Sequence, residues 1–453
     1  MTRGLGEGIS SKLWLLSKEI IETAKEAKEA GQIVKTKTMY VQQRCTHFGY
    51  VEGSISYQLS TSFVEKEEWH WKSRYEFLEK VVKKLSRYGE LAAEISGRYH
   101  VSGSQADFWL SRFAQALSAA ALNGIGEEAL ADYVTTFVKD LEKAPVEWKL
   151  TIWVQGVWLA DEEFVVHEGL RLRRPGPTDL DSDQPFEALP MGQMSENREL
   201  TSAAMELIQV VRDQKEFQDE IAFILTALRL FRLGGVGSIR TEMHAKSFLA
   251  FGGTIWSGGL PGATYTYGLK REDISGVKEL IERLRASPIA GFVVTAPQEV
   301  NPLWIALRRY NDALLKPESI EGQITLAITC LEALFLKAQE RMELSHRLGQ
   351  RVSIVLSNFG HHPIEVYNDI DRAYEIRSAY IHGSQVNTEQ LKGAGELAPR
   401  ILDYARKSLL IFLQMQPTID KEALISKMDN ALLDPNALAK VGKLLSENCR
   451  LYG

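Results

Sequence analysis

A chain of 453 residues, at roughly 100–200 residues per domain, has room for two to four domains. With 45% hydrophobic, 25% charged and 9% aromatic residues it has the make-up of a folded globular protein, which excludes a largely disordered, collagenous or low-complexity chain. The balance of 53 Lys and Arg against 59 Asp and Glu, a net charge of −6, argues against a dense basic coat for nucleic acid and leaves room only for a local patch.

In chain order, residues 10–30 read as a helix with Leu13, Leu16, Ile20, Ile21 and Ala24 on one stripe. Residues 35–60, rich in Thr, Tyr and Val, predict strands. Helical patterns follow at 64–95, 104–122 and 126–143, punctuated by Asn123-Gly124 and Gly126. After Pro145 the texture changes. Leu150, Ile152 and Val154 alternate with Thr151 and Trp153 as in a strand, and residues 157–159 continue it. Asp161-Glu162 makes a turn, residues 164–166 return, and Leu170 and Leu172 suggest a third strand. Residues 175–185 read as an acidic, proline-containing loop. Residues 216–232 predict an amphipathic helix that Gly234-Gly235 ends. A strand at 236–241, a glycine-rich loop or hairpin at 251–268, a helix at 272–286 and a strand at 292–295 come next. Beyond Lys316-Pro317 the chain reads as wholly helical. No period of 20–50 residues repeats, which argues against a solenoid. The expected class is α+β, mostly helical: a mainly helical region at 1–145, a mixed α/β region at 146–318 that is a candidate sensor, a four-helix domain at 319–417 and a helical tail at 418–453.

Cys45, Cys330 and Cys449 are too few and too scattered for a disulfide framework, and no Cys-x-x-Cys pair suggests zinc. They read as free thiols, Cys330 as core filler. No run of about 18 apolar residues would cross a bilayer, and the N-terminus lacks a signal peptide's apolar core, so a cytoplasmic protein is expected. A Walker-type phosphate loop, a dinucleotide fingerprint, His-Glu-x-x-His and Gly-x-Ser-x-Gly are all missing, and no cofactor is expected. Asp179, Asp181 and Asp183 mimic the start of a calcium loop, but Pro190 stands where a bidentate Glu is needed, so they read as solvated loop acids. His361-His362-Pro363 reads as a loop or helix start rather than a metal site, and no metal is expected. His70, between Trp69 and Trp71, reads as packing.

Residues 320–416 read as four helices joined by short connections, hence an antiparallel bundle. The first, 321–338, carries Ile324, Ile328, Leu331, Phe335 and Ala338 on one stripe, with Glu332 beside it. The second, about 341–357, carries Leu344, Leu348, Val352 and Val355. The third runs from about Pro363 to Ile381, the fourth over about 394–415 through Leu397, Ile401, Ala405 and Phe412. The third helix holds an anomaly. Its stripe runs Tyr367, Ile370, Tyr374, Arg377, Ile381, so a guanidinium takes a phase kept for apolar groups. Burying it unpaired is costly, so it needs an acid, a partner chain or a bound anion. His382 follows directly before Gly383, a natural C-cap, on the last turn where helix geometry favours a protonated imidazole. At about 100° per residue the two side chains differ by about 140°, and a long Arg arm and a fraying last turn let them converge on one phosphate. On spacing alone, Arg377 serves equally as a salt-bridge partner of Glu332 or Asp371, and His382 as a cap.

The segments ITLAITCLEALFL (324–336), ELSHRLGQRVSIVL (343–356) and YEIRSAYIHG (374–383) resemble the Apea-like branch of the HEPN superfamily, four-helix units marked by Arg, four to six residues, then His. Arg377-Ser-Ala-Tyr-Ile-His382 fits with four intervening residues; many members have Asn or another polar residue straight after the Arg, and this chain has Ser378, polar but a weaker mimic of an amide. The resemblance covers about 100 residues and says nothing specific of the first 300 or so. It implies RNA cleavage without metal at a composite site built by two copies of the motif, hence a homodimer. Arg377 and His382 would be catalytic, with Ser378, Glu332 and Tyr380 supporting. Attack by the RNA 2′-OH would give a 2′,3′-cyclic phosphate and a 5′-hydroxyl. It further implies a role in bacterial defence as an abortive-infection effector, with an unidentified phage-derived or regulatory trigger. The alternative is an inactive HEPN module for dimerisation or for RNA or nucleotide binding.

Overall fold

The computed structural model describes residues 7–71, 79, 81–122, 124–185, 201–212, 214–250, 252–257, 265–287, 301–316, 319–382 and 393–452, apart from the side chains of 7, 68–71, 184 and 185. The architecture is α+β and mostly helical.

Helices α1 (Glu7–Glu29), α2 (Ser86–Tyr99), α3 (Gly103–Leu122) and α4 (Glu127–Leu141) enclose the first core. Ile9, Leu13, Leu16, Ile20 and Ala24 put an unbroken apolar stripe of α1 into it. Phe113 and Phe137 stack at 4.6 Å in its middle. Between α1 and α2 runs a long hairpin, β1 (Ile33–Val51) and β2 (Ser54–Trp71). Its two-residue turn, Glu52-Gly53, has positive φ at both positions (48° and 81°), as a primed turn requires.

The helix expected over 64–95 is therefore a strand up to Trp71. The reason is a charge ladder of period two. Lys35 pairs with Glu67 at 2.6 Å and Lys37 with Glu65 at 2.5 Å across the hairpin, and apolar periodicity does not register such pairs. The acidic loop expected at 175–185 is corrected in the same way. Strand β7 (Ser182–Pro185) adds to β1. Asp183 takes Arg44 and Lys66 at 2.6 Å each, Asp181 accepts the Cys45 N–H at 2.9 Å, and Asp179 grips Arg173 at 2.7 Å. These acids are not merely solvated; they tie the hairpin to the rest of the chain.

The second core is built on a six-stranded antiparallel sheet ordered β10-β9-β3-β8-β6-β5. Its strands are β3 (Val146–Gln155), β5 (Glu163–His167), β6 (Leu170–Arg173), β8 (Ala203–Val211), β9 (Gly237–Ala245) and β10 (Gly253–Trp256). Leu150, Ile152 and Val154 on β3 and Met205 and Leu207 on β8 face inward. They share a core with helices α5 (Gln214–Phe231) and α6 (Ile274–Arg285), and Trp148 meets Phe217 at 5.2 Å. Strand β4 (Val157–Leu159) pairs in parallel with β11 (Tyr267–Leu269). Gly156, at φ 83°, makes the turn between β3 and β4, and a Cβ there would lie 2.3 Å from the Gly235 carbonyl oxygen. Gly156→Ala is expected to cost roughly 1–3 kcal/mol, since both the left-handed backbone and the backbone clash oppose it; chemical denaturation reads the loss. Helix α7 (Pro302–Leu315) adds Ala306, Leu307, Tyr310, Ala313 and Leu314 to the same core. The strand expected at 292–295 lies outside the described residues.

Helices α8 (Ile320–Phe335), α9 (Leu344–Ser357), α10 (Pro363–Ile381) and α11 (Ala394–Met415) are the four expected at the C-terminal end. Ser345 against Asp371 and Gly349 against Tyr367 fix α9 and α10 antiparallel. Gly393 beside Arg372, with Arg400 on Asp369, does the same for α10 and α11. Gly322 beside Tyr380 and Glu332 on Arg377 show that α8 also packs on α10. Cys330 is fully buried among these helices. Helices α12 (Lys421–Ala431) and α13 (Pro435–Asn448) complete the chain. Arg406 on α11, 2% exposed, donates to the carbonyls of Leu230, Phe231 and Tyr452. It caps α5 and fastens the C-terminus with one guanidinium.

The two cores separate near residue 145, one spanning Ile9 to Leu141 and the other Trp148 to Tyr452. The second core runs without a break across the boundaries expected at 318 and 417. Among the described residues no helix is long and apolar enough to cross a membrane.

Candidate active site

Helix α10 starts at Pro363, which needs no N–H partner in the first turn, and buries Val366, Ile370, Ala373 and Ile376. This corrects the expected stripe. The buried line is offset by one position, so Tyr367, Tyr374 and Arg377 occupy its flank, and Ile381 is 53% exposed. Arg377 is thus a half-buried edge residue rather than a fully buried cation.

Its partner is Glu332. The Arg377 Nη2 lies 2.8 Å from Glu332 Oε2, with side-chain exposures of 21% and 15%. Of the two acids that spacing allows, Asp371 instead accepts from the Ser345 hydroxyl at 2.6 Å. Tyr374, one turn back on α10, completes the cluster: the guanidinium sits 5.2 Å from its ring centre and its hydroxyl bonds Glu332. Burial raises the Glu332 carboxyl above its ordinary range, and the Arg377 charge and the Tyr374 hydroxyl oppose that rise without cancelling it. The Arg377 Nε is buried with no partner among the described residues. The guanidinium therefore has one arm fixed on a carboxylate and donor capacity left over.

His382 is the C-cap of α10, with its backbone N–H directed to the Ser378 and Tyr380 carbonyls. Its side chain is exposed. Tyr380, 41% exposed, sets its hydroxyl over Gly322 of α8, and Ser378 is half-buried. Gly383 lies outside the described residues. The structure thus joins Arg377 and Glu332 and puts Ser378, Tyr380 and His382 on the same last turns, with Arg377 turned toward α8 and His382 exposed at the helix end. Tyr374 is the member that spacing does not single out; its signal is the aromatic one turn before the Arg.

The other histidines of this region serve packing and bonding. His361 stands 2.9 Å from the Lys407 Nζ and edge-on to Tyr404, and burial beside that lysine lowers its pKa. His346 meets the Tyr367 hydroxyl at 2.8 Å. His70 is among the residues whose side chains are not described. Among the described residues no three His, Cys, Asp or Glu side chains gather as a metal set. Comparison of the chain with protein-family models, with curated proteins and with solved structures finds no match.

Proposed function

We propose that the protein is a metal-independent endoribonuclease of the HEPN type, acting as a homodimer whose α10 helices pair. What carries the reading is one arrangement: an exposed imidazole ends α10 five residues beyond an arginine whose guanidinium is oriented by Glu332 and Tyr374. Histidine suits transfer of the 2′-OH proton or protonation of the leaving 5′-oxygen. Arginine stays cationic and offers further N–H donors to the charge that grows on phosphate oxygens. Helix α10 carries one such motif, and a two-fold axis is the usual way to double it; Arg341 and His346 repeat the spacing, but Arg341 bonds the Ala338 and Glu340 carbonyls and His346 the Tyr367 hydroxyl. The exposed Tyr380 and Ile381 beside His382 give α10 an apolar end for that contact. RNA is then the substrate, a cytoplasmic setting follows, and a role as a defence effector with a separate trigger fits the fused α/β region.

A second reading is favoured by the bond from Arg377 to Glu332, which spends guanidinium capacity inside the bundle. There the unit is an inactive HEPN module for dimerisation or for RNA or nucleotide binding.

Purified protein incubated with total RNA in EDTA is expected to yield fragments ending in 2′,3′-cyclic phosphate. His382→Ala should lower the rate at least about a hundredfold, in the range for loss of a general acid or base, with an unchanged melting temperature. Cleavage that survives His382→Ala, or that requires added Mg²⁺, overturns the assignment. So does activity in a species that sediments as a monomer at micromolar concentration.

A further inference from the structure

The outward face of the six-stranded sheet carries a row of alternating guanidinium and indole groups. Strand register sets Trp153 beside Arg240 and Arg240 beside Trp256, on β3, β9 and β10. Arg173 of β6 joins from the other side, 5.7 Å from the Trp153 ring. Arg240 lies 4.9 Å from Trp153 and 5.3 Å from Trp256. Glu242 locks the row: it pairs with Arg240 at 2.9 Å and accepts the Trp153 indole N–H at 3.2 Å. Trp153 and Arg240 are only 2% and 4% exposed. Trp256, on the edge strand, is 55% exposed. The row therefore ends in an indole with a guanidinium against one side and much of its surface open.

A cleft of about 610 Å³ opens there, lined by Arg240, Glu242, His244, Thr254 and Trp256 among others. Gly252 and Gly253 keep the backbone bare along it. Lys149 and His244 are cross-strand neighbours on the same face, both exposed. An indole polarised by a cation on one side favours an electron-rich planar partner on the other. Glu242 can accept from an exocyclic amine of such a ring. Lys149 supplies positive charge, and His244 a ring N–H donor, where a phosphate would follow. Each arginine of the row is already matched by an acid, Arg173 by Asp179 and Arg240 by Glu242. That suits one stacked base with few phosphate contacts rather than a duplex.

We propose that this cleft is a base-stacking site for single-stranded RNA, with Trp256 as the platform. Naming RNA rests on the function proposed above; the stacking site itself does not. The test uses full-length His382→Ala protein, so that no probe is consumed, and fluorescence anisotropy of a labelled ten-residue oligoadenylate. Trp256→Ala is expected to weaken binding by about tenfold or more, and Trp256→Phe to keep most of it. Trp256 is exposed on an edge strand, so both variants should fold, which thermal melting checks. Equal affinity in Trp256→Ala, or no saturable binding to the His382→Ala parent, overturns the proposal. AMP competing as well as the oligonucleotide, base for base, would overturn the strand in favour of a mononucleotide. Trp256-dependent binding with no RNA cleavage in the native protein would leave this site standing and remove the ribonuclease. Cleavage that depends on His382, with KM and kcat unmoved by Trp256→Ala, would do the reverse.

Discussion

Alanine at Arg351 is expected to destabilise the C-terminal half by about 3–5 kcal/mol, the cost of stranding the partners of a buried cation. Arg351 on α9 is 1% exposed. Its Nη1 donates to the Phe335 carbonyl and to Glu340 at 2.8 Å, its Nη2 to Glu340 at 2.6 Å, and its Nε to Asp429 at 2.7 Å. One side chain thus caps the end of α8, holds the α8–α9 connection and fastens α12. Without it Glu340, with 10% of its side chain exposed, keeps its charge and loses its main partner. The same network sets a pH dependence. Arg351 chiefly, with the Lys337 N–H, holds the Glu340 carboxyl down at about 2. A carboxyl lowered on folding contributes stability that is present above its unfolded value of 4.5 and is lost as pH falls toward 2. The native protein should therefore lose stability across that window more steeply than Glu340→Gln, which lacks the group. Denaturation of Arg351→Ala within 1 kcal/mol of the native protein would show that the network contributes little.

The bundle was legible because its stripes are long and unambiguous. Leu397, Ile401, Ala405 and Phe412 place α11 at 394–415, where it stands. The first helix ends at Phe335, three residues short of the expected 338, because Glu340 takes the Lys337 N–H and closes the turn. Other parts were hidden for physical reasons. The end of β2 is stabilised by Lys–Glu pairs, which carry no apolar signal. Strand β8 mixes buried and exposed positions irregularly, and its pairing with β3 is set from across the sheet. Helix α7 has a clear stripe in Ala306, Leu307, Tyr310, Ala313 and Leu314, but Lys316-Pro317 directly after it draws the eye to a boundary. At the candidate site, Arg377 and Glu332 could be linked from helix phase alone. Tyr374 as hydrogen-bond partner, and the one-position offset of α10, needed the register between helices. The Arg–Trp row was wholly illegible, since its members come from four strands far apart in sequence.

Arg377→Ala should abolish RNA cleavage and cost about 1–3 kcal/mol, the range for a charged group left without its partner. The cost falls below that at Arg351 because the site is partly open and because Glu332 can accept a proton. Burial already raises the Glu332 carboxyl, and losing the Arg377 charge raises it further. A carboxyl raised on folding favours the folded state in acid, and this contribution is lost as pH rises through its folded-state titration. The deficit of Arg377→Ala should accordingly be larger at pH 7 than at pH 5. Adding Glu332→Gln removes the stranded charge, so the double variant should regain stability. If the guanidinium acts on phosphate, that regained stability brings back no cleavage. If Arg377 serves only to hold α8 against α10, the double variant regains cleavage along with stability. Melting temperature and RNA cleavage measured side by side on Arg377→Ala, Glu332→Gln and the double variant separate the two: recovery of both together removes Arg377 from the chemistry, and recovery of stability alone keeps it there.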